Sequence, residues 1–251
     1  MRFGEPGGGV HAELTDHHTH ADEPADRGRK PPIGRPPLDR SDLLALLAIY
    51  CGLVAVFAAI GLAVKRWDRL EAWDQSRSRQ LADSRTPRLN TLSWWGSNLS
   101  ETIVKIVVTA IVAGAMLYVW RRWREALMVV VPLVVEAAVF ITVTWIVKRP
   151  RPPVEQLDGS PVSSSFPSGH VAAAVCYSAI AIVVFWHTRR TWARVLAVVL
   201  SIAVPLIVGW ARAYRGMHHI SDIVAGAVLG AVTVVLCWWV LERRSSAVER
   251  S

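Results

Sequence analysis

The sequence predicts an all-α protein, a bundle of six transmembrane helices with its functional residues gathered on the outer face. Three observations carry that expectation. Apolar residues fill 52% of the 251 positions. They gather into six long runs, roughly 43–64, 102–120, 126–147, 170–187, 195–211 and 221–241. Arginines cluster between alternate runs. At about 1.5 Å rise per residue, about 20 residues cross the ~30 Å hydrocarbon layer, so each run is of spanning length. The first run starts too far into the chain, and is too long, to read as a cleaved signal peptide.

The chain divides accordingly into a disordered cytoplasmic tail over 1–40, a membrane domain over 41–242 and a short cytoplasmic tail over 243–251. The first tail is rich in Gly, Pro and charge and has no apolar periodicity. Its histidines His11, His17, His18 and His20 read as part of a solvated tail rather than a metal site. Cys51, Cys176 and Cys237 all fall inside apolar runs, so they act as small core hydrophobes and not as a disulfide framework.

The net charge is +8. Its distribution points to membrane orientation and not to nucleic acid. Arg121, Arg122 and Arg124 share one turn, Arg189, Arg190 and Arg194 another, and Arg243 and Arg244 close the last run. With six spans these positions fall on one face, together with the basic N-terminal tail. Positive charge beside span ends marks the cytoplasmic side, so both termini are expected inside.

Residues 65–101 form the first external segment. Trp67, Leu70 and Trp73 recur every three residues among charges, which suggests a short interfacial helix, with Trp94 and Trp95 as headgroup-level anchors. Gly226 and Gly230 form a small-xxx-small pair suited to close helix packing inside the bundle. Pro132 and Pro205 are expected at kinks. Glu136 lies about 18 Å below Lys148 along its helix, too deep for phosphate chemistry, and is expected in a buried polar pairing.

Two polar segments remain on the expected outer face: Lys148 to His170, and RAYRGMHHISD from Arg212 to Asp222. Both are basic where positive charge is normally sparse, and facing each other they make a site for an anion. His218 and Asp222 are four residues apart at a helix start, one turn from each other on a shared face. A carboxylate so placed can accept the imidazole N–H and leave the other nitrogen free to attack. His170 follows Ser168 and Gly169 at a second helix start, where unpaired backbone N–H groups and the helix dipole favour a phosphate. Arg149 and Arg151, taken alone, would read as lipid headgroup contacts. His219, turned about 100° from His218 on a helix, reads as an interfacial residue. Together these residues suggest phosphoryl transfer.

The motifs RPRP, PSGH and R-x5-H-x3-D, in this order between apolar spans, resemble the three signatures of the type-2 phosphatidic acid phosphatase superfamily. These are membrane lipid-phosphate phosphatases related to vanadium haloperoxidases. The resemblance covers about residues 43–242. It implies that His218 is a nucleophile forming a phosphohistidine, Asp222 its orienting carboxylate and His170 the acid that protonates the leaving oxygen. It further implies that Arg151, Ser168, Gly169 and Arg212 bind the phosphate, with no metal and no cofactor.

The pattern departs from the family in two places. Thr144 stands where the family has a lysine, seven residues before Arg151, and Ala211 stands where Ser is usual before Arg212. Lys148, one turn beyond Thr144 on the same face if the helix continues, is either a replacement cation with Thr144 as a secondary hydrogen-bond donor, or a residue snorkelling to a headgroup. The expected activity is hydrolysis of a lipid phosphate or diphosphate at the outer leaflet, with phosphatidic acid and polyprenyl phosphates as candidate substrates. The alternative is a non-catalytic lipid-binding or transport protein on the same scaffold. No nucleic-acid partner is expected, and no oligomeric state is implied.

Overall fold

The computed structural model describes residues 38–121, 123–159 and 163–248. Apart from its last three positions, the expected N-terminal tail with its four histidines lies outside the described residues. Among the described residues every regular element is an α-helix. They are α1 (Arg40–Lys65), α2 (Asp68–Asp83), α3 (Pro87–Asn98), α4 (Thr102–Trp120), α5 (Trp123–Val147), α6 (Gly169–Cys176), α7 (Ser178–His187), α8 (Thr191–Tyr214) and α9 (Ile220–Val248). Six candidate spans result, one each from α1, α4, α5, α8 and α9, with α6 and α7 together making the fourth across a break at Tyr177. The protein is a multi-pass membrane protein. Helix α9 runs on to Val248, past the expected boundary at 242.

Local sequence sets the helix starts. Asp39 caps α1 by accepting from the backbone N–H groups of Ser41 and Asp42, while the Asp42 carboxylate accepts from the N–H of Asp39. That reciprocal pair satisfies donors that a helix start otherwise leaves open. The segment 65–101 forms two helices instead of one, divided at Ser84–Thr86. Thr86 caps α3 through its hydroxyl, with Pro87 at the first helical position. Trp67, Trp73, Trp94 and Trp95 all stay exposed, in keeping with an interfacial placement.

The bundle is layered by burial. Half of the α6–α7 span and 44% of α5 are buried, against 17% of α1 and α4 and 11% of α8. Helices α5, α6 and α9 therefore form the centre, and α1, α4 and α8 present their apolar surfaces outward. The core stripe of α5 is Val131, Val135, Val139, Val143 and Val147, one residue every four, packed against Leu53 and Phe57 of α1 and Leu229 of α9. Pro132 and Pro205 both lie within helices that continue past them.

Lipid tails are as apolar as the helices, so association inside a bilayer depends on close packing and not on hydrophobic expulsion. Gly226 and Gly230 supply it. A Cβ on Gly226 would lie 2.4 Å from the Ser168 carbonyl oxygen, and one on Gly230 would lie 2.3 Å from that of Ala172. The small-residue pair thus seats α6 on α9 within one chain. Glu136 is buried as expected, yet its Oε1 has no hydrogen-bond partner among the described residues.

Alternation of the spans places Lys65, Val147, His170, Tyr214 and Ile220 at one end of the bundle, where the Lys65 ammonium donates to the carbonyls of Val147 and Lys148. The opposite end carries the arginine turns. There Arg124 pairs with Glu242, and His187 lies 3.2 Å from the buried Glu125.

Because Gly226 touches backbone, which cannot rotate away, Gly226→Ala must push α6 from α9. The expected loss is about 1–3 kcal/mol of stability, the usual range for overpacking. It should be read as a lower unfolding temperature in detergent, with Gly52→Ala, where nothing lies within 4 Å, as the neutral control.

Candidate active site

The polar segments predicted to meet do meet. Arg151, Gly169, His170, Arg212 and His218 line one cavity of about 350 Å³ at the Lys65 end of the bundle. Arg151 arrives from the loop after α5, Gly169 and His170 from the first turn of α6, Arg212 from the last turn of α8, and His218 from the turn before α9. Ser168 immediately precedes that first turn, fully buried, with no hydrogen-bond partner for its hydroxyl among the described residues. Its backbone N–H donates to the Asp222 carbonyl at 3.0 Å, which locks the start of α6 to the start of α9.

His218 is held differently from the expectation. Its Nδ1 lies 2.7 Å from the carbonyl oxygen of Ser165. A carbonyl only accepts, so Nδ1 carries the proton and Nε2 keeps its lone pair. The expected His218–Asp222 hydrogen bond does not form. Helix α9 begins only at Ile220, so His218 sits in the preceding turn and helical four-residue spacing does not apply to it. Burial, then the charges of Arg212 and Arg151, hold the His218 imidazole well below its ordinary pKa, outweighing the Ser165 carbonyl. The ring is therefore neutral at neutral pH.

Asp222 faces Arg149 instead. Its Oδ1 lies 2.5 Å from Arg149 Nη1, and its Oδ2 accepts from the backbone N–H of His219 at 2.9 Å. Arg149 is fully buried, which excludes the headgroup contact considered from sequence. Its other nitrogen donates to Glu71 at 2.7 Å and Asp74 at 2.9 Å, both on α2, and Nη1 also reaches Ser221. The neighbouring carboxylates overcome the cost of burial and hold the guanidinium pKa above its usual value. His219, expected at the interface, is buried beside this network, 3.8 Å from Glu71.

The other two arginines are positioned by the loops. Arg151 donates to the Met217 carbonyl, next to His218. Arg212 donates to Ser97 of α3 at 2.9 Å and to Asp158 at 3.1 Å. Burial would raise the Asp158 pKa, but hydrogen bonding and charge from Arg215, with the charge of Arg212, keep it below the usual value.

Two predicted residues stand elsewhere. Lys148 is exposed, follows the end of α5 and has a left-handed φ of 48°. The helix does not continue, so Lys148 does not share the Thr144 face. Thr144 is buried and spends its hydroxyl on the carbonyls of Phe140 and Ile141 in its own helix. Neither lines the cavity. The lining instead includes two residues that sequence reasoning passed over, Glu101, which precedes α4, and Lys105 within it. His170 Nε2 lies 3.1 Å from Glu101 Oε2. Burial would raise the Glu101 pKa, but the hydrogen bond and charge of His170 hold it down, so Glu101 faces His170 as a carboxylate.

Residues 125–246 match the family model described as the PAP2 superfamily. The chain is 26% identical over 195 residues to an undecaprenyl-diphosphatase of Sulfolobus acidocaldarius, covering 75% of this chain and 83% of that one. It is 25% identical over 183 residues to phosphatidylglycerophosphatase B of Bacillus subtilis, covering 72% and 89%. Its fold matches the crystal structure of a transmembrane PAP2-type phosphatidylglycerolphosphate phosphatase from Bacillus subtilis with a TM-score of 0.65 at 20% identity, over 81% of this chain and 96% of that one. Glu71, Asp74, Glu101 and Lys105 all lie outside the matched segment, so no motif within it could have revealed them.

Two outcomes follow from the site's electrostatics. Arg149→Met leaves the fully buried Asp74 and Asp222 without their cation, and loss of one partner from a buried ion cluster costs about 3–5 kcal/mol. Thermal unfolding in detergent should show that loss, with part of it recovered when Asp74→Asn removes the orphaned charge. The second concerns pH. If a neutral His218 is needed, the acid limb of kcat/KM should lie well below pH 6.5, the ordinary histidine value. Arg151→Met removes a cation that opposes imidazole protonation, so the residual activity should show that limb moved to higher pH.

Proposed function

We propose that the protein is a phosphatase that removes a terminal phosphate from a lipid phosphate or diphosphate at the extracytoplasmic face, through a phosphohistidine on His218. The observation that carries the reading is the state of His218. Its Nδ1 is tied to the Ser165 carbonyl, and the ring is neutral and lines the same cavity as His170, Arg151 and Arg212. Nε2 attacks phosphorus, and the bond to the leaving oxygen breaks. His170, supported by Glu101, gives that oxygen its proton. Water then attacks the phosphohistidine, His170 takes a proton from it, and inorganic phosphate departs.

Arg151, Arg212, the Ser168 hydroxyl and the first N–H groups of α6 bind the phosphate oxygens and stabilise the charge of the transition state. Asp222 acts at one remove. Through Arg149 and the Ser168 N–H it fixes the turn that presents His218. The substrate class is supported by relatives that bear the names of lipid phosphatases and by a site at the end of an apolar bundle, where a lipid tail can stay in the bilayer while its headgroup reaches the cavity. Sidedness is supported by the arginine turns at the opposite end, which mark the cytoplasmic face.

Purified protein in detergent should release phosphate from a lipid phosphate in the presence of excess chelator. Vanadate, a mimic of five-coordinate phosphorus, should inhibit it. His218→Ala should abolish turnover, and near-native rates in that variant would overturn the mechanism. On a Cys-free background, Gln156→Cys should react with an impermeant thiol reagent in intact cells and Arg189→Cys should not. The reverse pattern would move the chemistry to the cytoplasm.

A further inference from the structure

Lys105 is a cation within an apolar spanning helix, in the second turn of α4. Its ammonium makes no hydrogen bond or ion pair among the described residues, although it lies within electrostatic reach of His170 and of Glu136 beneath. An ionisable side chain in such a position normally serves a function, because leaving it unpaired in a membrane protein is costly. It lines the cavity together with His170 and His218. The other two cations there are already engaged, Arg212 with Asp158 and Ser97, and Arg151 with the Met217 carbonyl. Lys105 is the one held open toward the cavity.

Its place fixes which part of a substrate it meets. The Lys105 N–H donates to the Glu101 carbonyl at 2.8 Å, so the two residues stand one turn apart, and both side chains line the cavity. Glu101 in turn lies against His170. The wall built by Glu101 and Lys105 is therefore the wall on the His170 side. In phosphoryl transfer the attacking and leaving oxygens stand roughly in line on opposite sides of phosphorus. With His218 attacking and His170 protonating, the leaving group lies along α4.

We infer that Lys105 is the specificity-determining cation of the site: it binds the phosphate that departs with the lipid, and so selects a lipid diphosphate. This rests on the roles given above to His218 and His170. In the step itself, the His218 Nε2–P bond forms at the terminal phosphorus and the bridging P–O bond breaks. The electron pair leaves with the lipid monophosphate, whose bridging oxygen takes the His170 proton. Lys105 neutralises the charge growing on that leaving phosphate, aided by the hydroxyl of Thr102, which also lines the cavity. A monophosphate ester places an uncharged carbon there, and Lys105 then has nothing to bind.

Farnesyl diphosphate and farnesyl monophosphate share one tail and differ in this feature alone. Lys105→Met should lower kcat/KM for the diphosphate by about tenfold or more and change that for the monophosphate by less than about twofold. Lys105→Arg should restore most of the loss. Equal losses on both substrates, no loss on either, or a wild-type enzyme that turns over only the monophosphate would each overturn the assignment while leaving the phosphatase reading intact. Hydrolysis of both substrates at undiminished rate by His218→Ala would instead overturn the His218 mechanism, and hydrolysis of neither by the wild-type protein would overturn the phosphatase reading; the Lys105 assignment falls with either.

Discussion

Helices α6 and α9 lie so close that no methyl group fits between them at Gly226 or Gly230, and the geometry of the site follows from that contact. It brings the Ser168 N–H to the Asp222 carbonyl, which ties the start of one helix to the start of the other. Through this tie the PSGH segment and the His218 turn share a single frame. The Ser165 carbonyl, three residues before Ser168, can then fix the His218 tautomer. A looser crossing would separate the start of α6 from the imidazole, however well each was built. Packing energy that would elsewhere only stabilise a bundle is here converted into the registration of two loops.

A second layer of order is electrostatic. Arg149 is fully buried and surrounded by carboxylates from α2 and α9. Clusters of this kind contribute little net stability compared with an apolar core, since desolvation offsets most of the attraction. Their geometry is nonetheless demanding. The planar guanidinium must satisfy Asp74, Glu71, Ser221 and Asp222 at once, which fixes α2 over the bundle end and holds the residues just after His218. Arg215 does similar work beside it, gathering Asp158, Ser93 and the Leu157 carbonyl and so pinning the loop that presents Asp158 to Arg212.

The spans, their order and the meeting of the RPRP, PSGH and His218 segments were legible in the sequence, because hydropathy sets the spans and alternation sets which ends coincide. What failed did so at helix boundaries. Lys148 and Thr144 would share a face only if α5 ran one residue further, and His218 would pair with Asp222 only if α9 began two residues earlier. A boundary depends on tertiary hydrogen bonds, here those around Arg149 and Ser165, that no local pattern announces. Glu71, Asp74, Glu101 and Lys105 escaped for another reason. Each is an ordinary charged residue in a segment without a motif, and only the fold brings it to the site.

The Arg149 network draws its members from positions 71, 74, 149, 221 and 222, which the ribosome delivers far apart in time. Until α9 is in place, the guanidinium and the α2 carboxylates lack their final partner, and the start of α6 has no Asp222 carbonyl to meet. The geometry of the cavity is consequently complete only once α9 is in place.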